Sequence, residues 1–258
     1  MNIAETIERL GALILERVFA LGGFLLFLLN ALFYAVLPPY KPRLIIRQVR
    51  QIGADSMFLI ILIAAFTGMV LGLQGYKTLS LFGSEGALGI LVALALVREL
   101  GPVLAALMIT ARAGSAMAAE LGSMQATEQI DALTVMAVNP VQYLVSPRII
   151  AGIIAFPLLT VIFDVVGIIG GYLVGVGLMG APAGPYFNGI KANMGSHDIA
   201  SSLYKALVFG VVVMWVCCYK GYNAQRMATG VSRATTEAVV LSSVLILAWD
   251  YVLTSILL

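Results

Sequence analysis

The sequence predicts an all-α integral membrane protein with five transmembrane spans, and three observations carry that prediction. First, 61% of the 258 residues are hydrophobic, only 11% are charged, and the mean hydropathy is +1.01. An average soluble domain carries roughly 25% charged residues, so no soluble core of this size needs so much apolar sequence. Second, the apolar residues gather into stretches of about 20, enough for a helix to cross a ~30 Å hydrocarbon layer. Third, Lys and Arg recur at alternate connections between those stretches, as the positive-inside rule requires. The net charge of +2 matters less than this distribution. No Lys/Arg run is interleaved with aromatics, which argues against nucleic acid as a partner.

Residues 1–17 start acidic, with Glu5 and Glu8 before Arg9, and show no small-residue cleavage site, so they do not read as a secretory signal. Residues 18–37 are apolar enough to span, yet Gly22-Gly23, Asn30 and Pro38-Pro39 weaken that reading. An amphipathic segment lying in the interface is the rival, and the residues alone leave the choice open. Lys41, Arg43, Arg47 and Arg50 form the densest basic cluster and mark the cytoplasmic side. The first span is expected at about 57–78, where Gly68, Gly72 and Gly75 allow close helix approach. The second is expected at about 87–110, with a kink at Pro102.

Residues 111–147 read as a long inside connection, punctuated by Asn139-Pro140 and Ser146-Pro147. Within it Thr127 is expected to cap a short helix whose first turn holds Glu128 and Asp131. The third span is expected at about 149–176, with Gly167, Gly171 and Gly175 on one ridge. Residues 179–199 read as an outside loop, 200–219 as the fourth span and 239–257 as the fifth. Lys220, Arg226 and Arg233 mark the inside connection between those last two. The N-terminus is then cytoplasmic and the C-terminus periplasmic.

Ionisable groups within spans are costly, about 2.5–3.5 kcal/mol each at a helix centre, and so call for an explanation. Arg98, Glu99, Lys205 and Asp250 sum to zero charge, which points to mutual pairing. Lys205 lies roughly 8–9 Å and Asp250 roughly 13 Å below the outer edge, comparable depths at 1.5 Å per residue. Two readings stand: ion pairs that hold helices together, or a polar wall of a cavity that handles a charged group. Asp164 is a fifth such group and reads equally well as a lone carboxyl in a helix contact.

Motifs for catalysis are missing. There is one histidine, His197, so no His-Glu-x-x-His zinc site. No G-x-S-x-G accompanies it. Cys217 and Cys218 are adjacent and lack metal-ligand spacing. No G-x-x-x-x-G-K-[ST] segment is present, so ATP hydrolysis by a P-loop is not expected of this chain. No inverted internal repeat of the secondary-carrier type is visible.

The blocks GMVLGLQGY, RELGPVLAAL, ARAGSAMAAELGSM, ATEQIDAL, SPRIIAG, FPLLTVIFDVVGIIGG, GYNA and GVSRATTEAVV follow one another in order. From about Arg43 to Leu258 the chain thereby resembles the MlaE family of permeases, the membrane subunits of ABC transporters that move phospholipids across the Gram-negative envelope. The resemblance implies a single permease domain over 1–258. Residues 1–40 would form an N-terminal interfacial (elbow) helix and 41–258 a five-span transmembrane core with a cytoplasmic coupling helix between the second and third spans. It implies a multi-pass protein of the bacterial inner membrane that works as a homodimer and sustains outer-membrane lipid asymmetry. Further partners implied are a separate ATPase subunit that binds the ATP and Mg, a small regulatory subunit of the anti-sigma-antagonist type, and a periplasmic ring of MCE-domain lipid-binding subunits.

Carried onto this sequence, the resemblance makes Leu71, Thr78, Leu79 and Phe82 the lipid-binding lining, with Thr78 a departure where a larger aliphatic side chain would suit acyl chains better. Arg98, Glu99, Lys205 and Asp250 would lie beneath or beside that pocket. Glu120, Met124, Glu128, Asp131 and Leu133 would carry the contact to the ATPase. The competing reading is a scaffold that anchors the ATPase and the periplasmic ring while lipid travels elsewhere.

Overall fold

The computed structural model describes residues 3–36 and 42–257; of residues 3–14, 16, 17, 20, 21 and 36 it describes the backbone alone. Pro38, Pro39 and Lys41 lie outside the described residues. Helices make up nearly all of that length, and no residue among those described is in a strand. Among the described residues, five helices are long and apolar enough to cross a membrane: α2 (Pro42–Ser80), α3 (Glu85–Ala126), α5 (Val141–Gly175), α7 (Ser196–Tyr222) and α8 (Ala228–Leu257). Three more complete the order: α1 (Ile3–Val36), α4 (Gln129–Val135) and α6 (Ala183–Asn193).

The apolar part of α1, Gly22–Ala35, is roughly 21 Å long at 1.5 Å per residue, short of a ~30 Å core. It is fixed along one face. Phe24 stacks on Trp215 with ring centroids 3.9 Å apart, and the Trp215 indole N–H donates to the Phe24 carbonyl at 3.0 Å. Phe27 meets Tyr219 and Tyr222 edge-on and tilted, and the Ser146 hydroxyl donates to the Ala31 carbonyl. These anchors belong to the last turns of α7 and the first turns of α5, one and the same end of the bundle. Leu25, Leu26, Leu29 and Phe33 point away and are exposed. An apolar helix seated across one end of its neighbours, with its other face bare, fits the in-plane arrangement.

α2 opens with an amphipathic stretch, Pro42–Ile52, that turns Arg43, Arg47 and Arg50 outward and buries Ile52. After a turn at Gly53 it runs straight against α5. A Cβ at Gly72 would stand 2.6 Å from the Gly171 carbonyl oxygen, and one at Gly170 would stand 2.5 Å from that of Ala65. The Gly68 backbone meets that of Gly167 more closely still. The two helices are in backbone contact, which only glycine permits. Gly75, by contrast, faces α3, where a Cβ would meet Leu88 at 2.8 Å.

α3 departs from expectation most. It does not end near residue 110 but continues to Ala126, so the first part of the expected connection 111–147 is helix. The reason lies in composition: Ser115–Ala126 is rich in Ala, Met, Leu and Glu, all good helix formers, with no proline and a single glycine, Gly122. Its small residues let it pack deeply, with Ala113, Gly114, Met117, Ala118, Leu121 and Gly122 buried. The kink expected at Pro102 takes the form of a π-helical turn at Leu96–Leu100, immediately before the proline, and a second such turn spans Thr110–Gly114.

Thr127 does not cap α4. Its hydroxyl donates back to the Ser123 carbonyl at 2.8 Å, closing the preceding helix, and Glu128 takes the cap position in a left-handed conformation, φ 57°. Asn139 supplies a cap instead: its side-chain oxygen accepts from the Val141 and Gln142 amides at the start of α5. The expected loop 179–199 contains α6. Its Tyr186 is buried, its hydroxyl donates to the Ile168 carbonyl at 2.9 Å, and burial pushes the phenol up to about 12. α8 begins well before the expected residue 239, and Arg233 therefore sits on a helix rather than in a connection.

Candidate functional site: a charged cleft between α3, α7 and α8

The cleft starts from Pro102. Proline has no N–H, so the Arg98 carbonyl, four residues earlier, receives no helical bond from it. Lys205 on α7 donates to that carbonyl at 2.8 Å. The same ammonium reaches Thr254 Oγ1 at 2.7 Å, Glu99 Oε2 at 2.9 Å and Asp250 Oδ1 at 3.1 Å. Lys205 is 2% exposed, with its three N–H groups fully engaged, so α3, α7 and α8 are tied at one buried point. Thr254 in turn donates to the Glu99 carboxylate.

Arg98 turns elsewhere. Its Nε donates to Asp198 Oδ1 at 2.8 Å, and Asp198 also accepts from the Gly195 amide at the start of α7. The expected foursome is thus a triad, Glu99–Lys205–Asp250, beside a pair, Arg98–Asp198. Asp198, Thr254 and Ser201 are the members that the sequence reading missed. Asp198 fell at the end of the expected outside loop 179–199, where an acid at a helix start reads as a cap. Thr254 carries no charge to mark it.

Arg98, Glu99, Asp198, Ser201, Lys205 and Thr254 line an open cavity of about 490 Å³, with Asp250 behind Lys205. Leu94, Ala95 and Leu257 make the rest of its wall apolar. His197 stands there too, its Nε2 3.3 Å from the Leu257 carbonyl oxygen. A concave site with apolar walls and a few convergent polar groups suits an amphiphile. Among the described residues no group of His, Cys, Asp or Glu is placed to hold a metal ion.

Asp164 lies apart from this cavity. It is buried, accepts from Ser202 at 3.4 Å and packs against Gly101, where any Cβ would collide with it. Cys217 and Cys218 are buried and free.

The four expected lipid-lining residues lie along α2 and the turn after it. Leu71 and Leu79 pack against the core, Thr78 is exposed with its hydroxyl donating to the Gln74 carbonyl, and Phe82 is 77% exposed. None of them lines the charged cavity of this chain. Gly75, one helical turn after Leu71, is turned into the protein.

The expected ATPase-contact residues divide. Glu120 pairs inward with the buried Arg148 at 3.0 Å, joining α3 to α5. Met124 and Leu133 are partly buried against the core. Glu128 and Asp131 both face Arg226 of the α7–α8 connection, at 3.6 and 2.7 Å. The outward apolar groups at the tip of α4 are Val135 and Met136, 87% and 64% exposed, which the sequence reading had not singled out.

Residues 45–256 match the family model described as Permease MlaE. The Intermembrane phospholipid transport system permease protein MlaE of Haemophilus influenzae is 42% identical over 258 residues, covering 99% of this chain and 98% of its own. A probable ABC transporter permease protein of Rickettsia felis is 41% identical over 256 residues, covering 99% and 98%. The chloroplastic protein TRIGALACTOSYLDIACYLGLYCEROL 1 of Arabidopsis thaliana is 35% identical over 210 residues, 81% of this chain and 60% of that one. With five apolar helices and near full-length similarity to these permeases, the chain is a multi-pass membrane protein and belongs to the MlaE permease family.

Proposed function

We propose that this chain is the permease subunit of an ABC transporter that moves phospholipids between the inner and outer membranes and so maintains outer-membrane lipid asymmetry. It carries out no chemical reaction itself; a separate ATPase subunit binds ATP and Mg and hydrolyses the nucleotide. The observation that carries the proposal is the charged cleft. Its apolar walls fit acyl chains and its ionised rim fits a headgroup, while similarity to a phospholipid-transport permease supplies the substrate class.

Two copies work together in the inner membrane. α8 supplies the argument: only 17% of its most apolar window is buried, against 56% in α7. Val240, Val244, Leu247 and Tyr251 stand exposed at i, i+4, i+7 and i+11, one continuous face that a second copy covers. In such a pair the lipid-binding residues Leu71, Thr78, Leu79 and Phe82 border the space between protomers. On the cytoplasmic side α4 meets the ATPase, aided by a small regulatory subunit of the anti-sigma-antagonist type. On the periplasmic side a ring of MCE-domain subunits hands lipid on. The N-terminus is cytoplasmic and the C-terminus periplasmic.

The test is ATP-dependent phospholipid transfer in the reconstituted complex. Lys205→Ala, in assemblies that stay intact, is expected to reduce transfer at least tenfold. Unchanged transfer removes the cleft from the mechanism. Lipid photocrosslinking from Leu71 and Phe82 separates carrier from scaffold, because a scaffold gives no adduct.

A further inference from the structure

We infer that the cleft selects zwitterionic phospholipids bearing a primary ammonium over anionic ones. This rests on the reading that phospholipid occupies the cleft, and it adds the headgroup class. Among the described residues, Arg98 spends only its Nε on protein, in the bond to Asp198; no protein acceptor meets either terminal nitrogen of its fork. With the side chain 45% exposed, that fork is free for a phosphate, whose oxygens it matches two at a time. Glu99 is the next residue, and its carboxylate is 43% exposed. It accepts from Lys205 and Thr254, which leaves lone pairs open to the cleft. A phosphate receptor and an ammonium receptor thus stand side by side, the order in which a phosphoethanolamine headgroup presents its two charges.

The charge balance points the same way. The buried Lys205 is consumed by its protein partners, so of the Lys and Arg side chains lining the cleft Arg98 is the one left facing it, beside His197. Two cations, Arg98 and Lys205, stand against three carboxylates, Glu99, Asp198 and Asp250. A phosphoglycerol headgroup satisfies Arg98 but brings no cation to Glu99 and adds a negative charge to a site already in surplus. A phosphocholine headgroup brings the charge without an N–H to donate, and ranks between the two.

The experiment is pairwise competition in the reconstituted transporter among phosphatidylethanolamine, phosphatidylcholine and phosphatidylglycerol with identical acyl chains. Transfer is expected in that order, with about tenfold between the first and the last, the size of one charge-assisted hydrogen bond. Glu99→Gln is expected to collapse the ethanolamine preference, whereas Arg98→Lys slows all three lipids and keeps their order. Should Glu99→Gln not assemble, the wild-type competition alone decides. Equal transfer of the three lipids overturns the headgroup inference and leaves the cleft reading standing. No transfer of any lipid, with no lipid crosslinking from the cleft, overturns both.

Discussion

Lys205 concentrates the cost and the benefit of charge inside this bundle. Its ammonium holds two carboxylates, and removing it leaves Glu99 and Asp250 facing each other without a counter-ion. Breaking such a partly buried pair typically costs about 3 kcal/mol, whereas removing all charges together is often close to neutral. Lys205→Met alone is therefore expected to lower the melting temperature of the detergent-purified complex. The triple variant Lys205→Met, Glu99→Gln, Asp250→Asn is expected to recover stability without recovering lipid transfer. A triple variant that transfers lipid normally assigns the triad a structural role only. The sequence showed four of the site's five paired ionised groups because charge in an apolar run is conspicuous and helix rise sets depth. It hid the partner of Arg98, since Asp198 sits where a helix start would hold an acid anyway. It hid Thr254 because a hydroxyl in a span draws no attention until a neighbour needs its oxygen.

At the scale of elements, the α2–α5 seam depends on absent side chains. Gly72 lies so close to Gly171 that Gly72→Leu must push the helices apart by more than a side-chain rotation can absorb. Loss of folded protein by thermal unfolding or size-exclusion chromatography is the expected result, while Gly184→Leu, with open space around it, is expected to be silent. This seam was legible, because glycines four residues apart announce a smooth ridge. The length of α3 was not. Hydropathy falls where Ser115–Ala126 begins, but helicity does not, since burial against α7 and α8 replaces lipid as the apolar surroundings. The π-helical turns were equally hidden, because a reading at 3.6 residues per turn has no place for one extra residue. At the tip of α4, Val135→Asp with Met136→Asp is expected to abolish co-purification of the ATPase while leaving the permease fold intact. Retained ATPase would move the docking surface away from α4.

For the whole molecule, the number of spans, their order and the family were readable from composition, block order and basic residues alone, because the membrane leaves helices few alternatives. That two copies pair was readable only as resemblance, and we propose the exposed face of α8 as the surface they share. Cysteine placed singly at Val244 or Leu247 is expected to crosslink two protomers in the functional complex, with little background because Cys217 and Cys218 are buried. The central claim is that a phospholipid passes through the charged cleft itself. A photoreactive side chain at Leu94 or at Leu257, on the cleft's apolar wall, tests it in the assembled transporter by mass spectrometry of the adducts. The account predicts phospholipid adducts at both positions; active transfer with no lipid adduct at either would contradict it.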